Sequence, residues 1–117
     1  MQYRQLGHSG LEVSLVGLGT NNFGRRCDQA QSAKVLNQAV ESGINFIDTA
    51  NIYSAGESEI HIGHWLKGKR EQVLIATKFG MEMGDGPMQM GASRKHIMDS
   101  IDASLARLQT DYVDLYQ

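Results

Sequence analysis

The sequence predicts an α/β fold in which βαβ units build a parallel sheet, and three observations carry that expectation. Short β-rich runs recur four times, at residues 13–18, 44–48, 73–78 and 112–117. Each of the first three is followed by a helical pattern, and turn residues separate the segments.

Residues 3–6 and 11–13 flank Gly7-His8-Ser9-Gly10 and predict a small hairpin ahead of the first run. Asp28 caps the first helix, with Gln31 in capping-box position. Ala33, Leu36, Ala39 and Val40 form its buried stripe, and Gly43 ends it. A second helix spans about 58–66. Ser93 opens the third, where Ile97, Ile101, Leu105 and Leu108 recur at helical spacing. Between them, 80–91 is a long loop whose glycines and single proline, Pro87, exclude regular structure. The last run has no helix after it. An uncovered parallel edge predicts a missing second half, or an edge open to self-association.

Composition excludes several classes of function. With 21% charged residues and a net charge of −2, the chain is not a disordered one. The balance of 13 acidic against 11 basic residues leaves no electrostatic footprint for nucleic acid or an anionic membrane. No run approaches the roughly 18 apolar residues of a membrane span. The single cysteine, Cys27, excludes an internal disulfide and suits a cytoplasmic protein.

In a βα-alternating chain, the carboxyl ends of the strands carry the chemistry. Asp48 ends the second run, Tyr53 follows five residues later, and Lys78 ends the third. Singly, each reads as a turn, loop or solvated strand-end residue. Together they converge, because neighbouring strands lie roughly 5 Å apart. A phenol is a weak acid at neutral pH. An ammonium about 4 Å away favours the phenolate by about 4 kcal/mol at an effective dielectric of 20. Asp48 cancels part of this while holding the lysine charged and oriented. Tyr53 thereby becomes a proton donor to a substrate oxygen.

Five motifs then match a known family in order along nearly the whole chain. They are Gly17-Leu18-Gly19-Thr20, the stretch from Gly43 through Asp48-Thr49-Ala50-Asn51-Ile52-Tyr53, Gly56-Glu57-Ser58-Glu59 with Gly63 and Leu66, Ala76-Thr77-Lys78, and Asp111-Tyr112-Val113-Asp114-Leu115-Tyr116. They resemble the aldo-keto reductases. The resemblance implies a (β/α)8 TIM barrel, of which residues 1–117 hold the N-terminal half: a hairpin, about four strands and three helices. Such a barrel takes roughly 250 residues. It further implies NADP(H)-dependent reduction of an aldehyde or ketone, a small-molecule carbonyl substrate, with Tyr53 as general acid, Lys78 as the cation that eases its proton release, and Asp48 as the lysine's partner. Gly19, Thr20, Asn21 and Asp48 are the expected contacts of the cofactor's nicotinamide end. The family's fourth catalytic residue, a histidine just past the strand ending at Gln117, is matched by none of His8, His61, His64 or His96. The 117 residues alone are therefore expected to have low or no activity.

Rival readings are a regulatory subunit on the same scaffold, similar to potassium-channel β subunits, and a self-contained flavodoxin-like module or dimerising half-barrel. A Rossmann fingerprint fails, since its third glycine falls on Asn22. His61 and His64, at i and i+3, read as helix surface rather than metal ligands, and Asp114 as a buried, hydrogen-bonded barrel residue. Met81, Met83, Met88 and Met90 could wall a substrate site. Asn21, Asn22 and Phe23 are further binding candidates, and Trp65 reads as helix packing.

Overall fold

The computed structural model describes all residues, Met1–Gln117. Strands β1 (Tyr3–Gln5) and β2 (Glu12–Ser14) form the antiparallel hairpin expected, with Tyr3 opposite Ser14 and Gln5 opposite Glu12. A separate parallel sheet has the order β3 (Leu18–Gly19), β4 (Phe46–Asp48), β5 (Leu74–Thr77) and β6 (Leu115–Tyr116). Helices α1 (Gln29–Glu41), α2 (Glu57–Leu66) and α3 (Arg94–Leu108) occupy the crossovers.

The expected first parallel strand, residues 13–18, divides in two. Val13 and Ser14 belong to the hairpin, and only Leu18 and Gly19 pair with β4. Local polar bonds cause the break: Ser14 Oγ donates to Val16 O at 2.7 Å, while Ser14 N donates to Asn45 Oδ1 at 2.8 Å. Side chains that satisfy backbone groups in this way compete with a strand ladder.

α1 begins with the full capping box: Asp28 Oδ1 accepts from Gln31 N, and Gln31 Oε1 accepts from Asp28 N. Of its expected stripe, Leu36 and Ala39 are buried, and Ala33 and Val40 are half-buried against the core. Ile47 and Ile75 sit side by side in the sheet and point into this core with Leu36, Ile62, Trp65 and Leu108 from the helices. The helices thus cover one face of the sheet. Trp65 packs as expected, its indole N–H donating to Asn37 Oδ1 at 2.7 Å.

α3 buries a different stripe from the apolar one. His96, Ser100, Ser104 and Leu108 face inward, whereas Ile97, Ile101 and Leu105 are half-buried. The missing side chain of Gly63 lets α3 approach α2 closely: a Cβ there would lie 2.3 Å from Arg107 O. Residues 80–91 form the expected loop, its ends joined by Gly91 N donating to Gly80 O. At the amino end of the sheet Asp114 is hydrogen-bonded as expected, its Oδ2 accepting from Arg70 Nη2 and Ile75 N, but it is only part-buried and lies just before β6. No helix is long and apolar enough to cross a membrane.

Candidate active site

The carboxyl ends of β3, β4 and β5 bring the three predicted residues together. Asp48 is the last residue of β4, paired with Gly19 on one side and Ala76 on the other. Lys78 follows β5, held by Asn51 N donating to its carbonyl. Tyr53 opens a kinked turn, Tyr53–Gly56, that leads the chain into α2. Ser54, Ala55 and Gly56 all have positive φ, at 52°, 54° and 97°. Two successive non-glycine residues in this region store backbone strain beside the phenol. Ser54 Oγ, donating to Phe23 O at 2.8 Å, pins the turn.

Lys78 Nζ is the hub. It donates to Asp48 Oδ2 at 2.6 Å, Thr49 O at 2.9 Å and Tyr53 Oη at 3.4 Å. An ammonium has three protons, and these three acceptors use them all. The Tyr53 oxygen therefore accepts from the lysine, and its own proton has no acceptor in the chain and is free for a substrate oxygen. The Asp48 and Lys78 side chains are each 30% exposed, so the pair is reachable yet partly shielded.

A buried clamp underlies these residues, built largely from motif positions whose spacing alone does not show that they meet. Thr20, Thr49 and Thr77, at three successive strand ends, are all completely buried. Consecutive residues of the first turn of α2 receive them. Ser58 Oγ donates to Thr20 O at 3.0 Å and lies 2.9 Å from both Thr20 Oγ1 and Thr49 Oγ1. Glu59 accepts from Thr77 Oγ1 at 2.5 Å. Arg107 of α3, 2.7 Å from the other Glu59 oxygen, neutralises the carboxylate. Asp48 precedes one clamped threonine and Lys78 follows another, so α2 fixes their separation.

Thr20 requires a correction. Its hydroxyl donates to Asp48 O and contacts Ser58, its N–H donates to Asp48 O, and its side chain is wholly buried. It lies beneath the site and presents no group to a ligand. Phe23 likewise belongs to the core, at 3% exposure, rather than to a binding surface. Gly19 and Asn21 are exposed. A Cβ on Gly19 would meet nothing within 4 Å, so beside Asp48 the backbone is bare; the cavity of about 540 Å³ that it borders extends to the hairpin, where Arg4, Leu6, Val13 and Ser14 line it. Of the groups at this end of the sheet, Gly19, Asn21 and Asp48 are accessible and are the ones that would hold the planar end of a nicotinamide cofactor.

The remaining candidates lie elsewhere. His61 is buried rather than on the helix surface, its Nδ1 paired with Ser32 Oγ, while His64 is exposed with its Nδ1 paired to Gln29 Oε1, both toward α1. No three metal-ligating side chains cluster. Met83 and Met88 line a cavity of about 200 Å³ against Asn51, His96 and Arg107, and Met81, Met88 and Met90 are all exposed. Tyr116, stacked on Phe79 at 4.9 Å, has a buried hydroxyl without a partner. Burial, and then the Glu59 carboxylate, pushes it up to about 12.

Known proteins resemble this chain along its whole length. The chain is 40% identical over 119 residues to an uncharacterized oxidoreductase, YqkF, of Bacillus subtilis, and 42% identical over 131 residues to Protein tas of Escherichia coli. Both alignments take in 100% of this chain and 38% of the relative, so the chain spans about two-fifths of the relatives' length. The solved structure of aldo-keto reductase AKR11C1 from Bacillus halodurans, in its holo form, superposes with a TM-score of 0.87 at 39% identity, over 100% of this chain and 39% of that one. The sheet and its outer helices are therefore part of a (β/α)8 barrel. With the aldo/keto reductase family profile matching residues 15–117, the chain belongs to that family.

Proposed function

We propose that residues 1–117 are the N-terminal half of an NADP(H)-dependent aldo-keto reductase barrel that reduces an aldehyde or ketone to an alcohol, in the cytoplasm. The carrying observation is the Lys78 ammonium, bonded at once to Asp48 Oδ2, Thr49 O and Tyr53 Oη. When bound, the cofactor supplies the hydride that reaches the carbonyl carbon. Tyr53 gives its free proton to the carbonyl oxygen, and the phenolate left behind faces the lysine charge. Asp48 keeps Lys78 ionised and aimed. The bare backbone at Gly19, with Asn21 and Asp48 at its border, receives the nicotinamide end. The single free cysteine, Cys27, suits a reducing cytoplasm.

NADPH oxidation by the full-length protein with a panel of aldehydes tests this reading. Turnover is expected, and Tyr53→Phe should lower it by about 10²- to 10⁴-fold, the usual contribution of a general acid, with NADPH binding retained. A wild-type protein that binds NADPH but turns over no carbonyl would sink the proposal.

A further inference from the structure

The two oxygens of Asp48 have different partners. Oδ2 takes the lysine proton at 2.6 Å, and Oδ1 lies 3.3 Å from Nε2 of Gln117, 69 residues further along the chain. Gln117 is itself well anchored: its N–H donates to Thr77 O at 3.0 Å and its carbonyl accepts from Phe79 N at 3.0 Å. Its backbone is thus stitched on both sides of Lys78 while its side chain crosses to β4. A carboxylate only accepts, so the amide must present its NH2 end to Asp48.

We propose that Gln117 is a positioning residue that fixes the Asp48 carboxylate plane and, through it, the aim of Lys78 at Tyr53. This rests on the carbonyl-reductase reading above. A carboxylate rotates about Cβ–Cγ, and with Oδ1 untethered either oxygen can turn to the lysine. The Nζ position then drifts, because the Lys78 bond to Thr49 O fixes only one further direction. With Oδ1 tethered, one oxygen alone faces Nζ, and the third ammonium proton points to the phenol. The amide is neutral, so it orients the carboxylate without competing with Lys78 for its charge.

The test uses the full-length protein and two readouts. In Gln117→Leu, kcat should fall about tenfold, as expected for losing one charge-assisted contact in the transition state, with KM nearly unchanged. The solvent deuterium isotope effect on kcat should rise as proton transfer becomes slower. Gln117→Glu should be worse, since a second carboxylate draws Lys78 away from Asp48. A merely structural role predicts neither the isotope effect nor this order of variants. Independently of turnover, the Gln117 side-chain amide NMR signals, assigned by their loss in Gln117→Leu, should move in Asp48→Asn. Unchanged kcat and isotope effect in Gln117→Leu would overturn the inference, as would amide signals indifferent to Asp48→Asn. A wild-type protein without turnover would overturn the reductase reading and with it this role, while the amide response would still report the bond.

Discussion

Arg107 Nε lies 2.7 Å from Oε2 of Glu59, a carboxylate with no exposed surface, and the pair joins α3 to the first turn of α2 beneath the site. The two partners are unequal, because the arginine side chain keeps 23% of its surface exposed. Arg107→Met strands a buried charge and should cost about 3–5 kcal/mol. Glu59→Gln leaves a hydrated arginine and a neutral partner for Thr77, and should cost only about 1–2 kcal/mol. The double variant should be more stable than Arg107→Met alone. Urea unfolding of the four proteins measures this cycle, and equal losses for both single changes would contradict it.

The Asp48–Lys78 pair should behave in the opposite way. Its side chains are about one-third exposed, where an ion pair contributes about 0–1 kcal/mol. Asp48→Asn should therefore leave the urea midpoint nearly unchanged. Turnover should nevertheless fall at least about tenfold, because an amide neither balances the ammonium nor fixes its aim at Tyr53. Parallel stability and kcat measurements separate the two effects.

How far the sequence reveals this site depends on the kind of signal each residue leaves. Asp48, Tyr53 and Lys78 stand at or just after strand ends, and strand periodicity alone brings them near one another. The Asp28–Gln31 capping box is likewise local, and its spacing shows in the sequence. Ser58, Glu59 and the three threonines act through contacts 9 to 38 residues apart, among short polar side chains that leave no periodic trace. Thr20 looked like a surface contact for the same reason: its position after a strand is legible, but the direction of its hydroxyl is not. The break at Ser14 has a local part, its bond to Val16 O, and a distant one, its bond with Asn45 31 residues away, which no propensity over 13–18 contains.

Tyr116 makes stability sensitive to alkaline pH. Burial and the nearby Glu59 carboxylate raise it to about 12 in the fold, against 10.0 for a free phenol. Between these values the unfolded chain has lost the proton and the folded one keeps it, so stability falls as pH rises through the interval and is fully present below it. Tyr112 is also raised, chiefly by desolvation, and acts in the same direction. The comparison is therefore made in Tyr112→Phe. Urea midpoints from about pH 9 to about pH 12 should drop less steeply once Tyr116→Phe is added, because the group that titrates differently in the two states is gone.

The strained turn after Tyr53 offers a final test, of rigidity rather than charge. Ala55 is exposed at φ 54°, where its methyl group serves no packing that the fold requires. A left-handed alanine costs about 1–2 kcal/mol, which glycine avoids. Glycine returns about 0.4–1 kcal/mol of that through the greater entropy of the unfolded chain. Ala55→Gly should therefore raise stability by about 0.5 kcal/mol net, read from the urea midpoint. The same change relaxes the backbone two residues from the phenol. Ser54 Oγ still anchors the turn to Phe23 O, so Tyr53 should stay within reach of Lys78 and turnover should fall by no more than about twofold. A large loss of kcat together with the gain in stability would show that the strain itself holds the phenol in place.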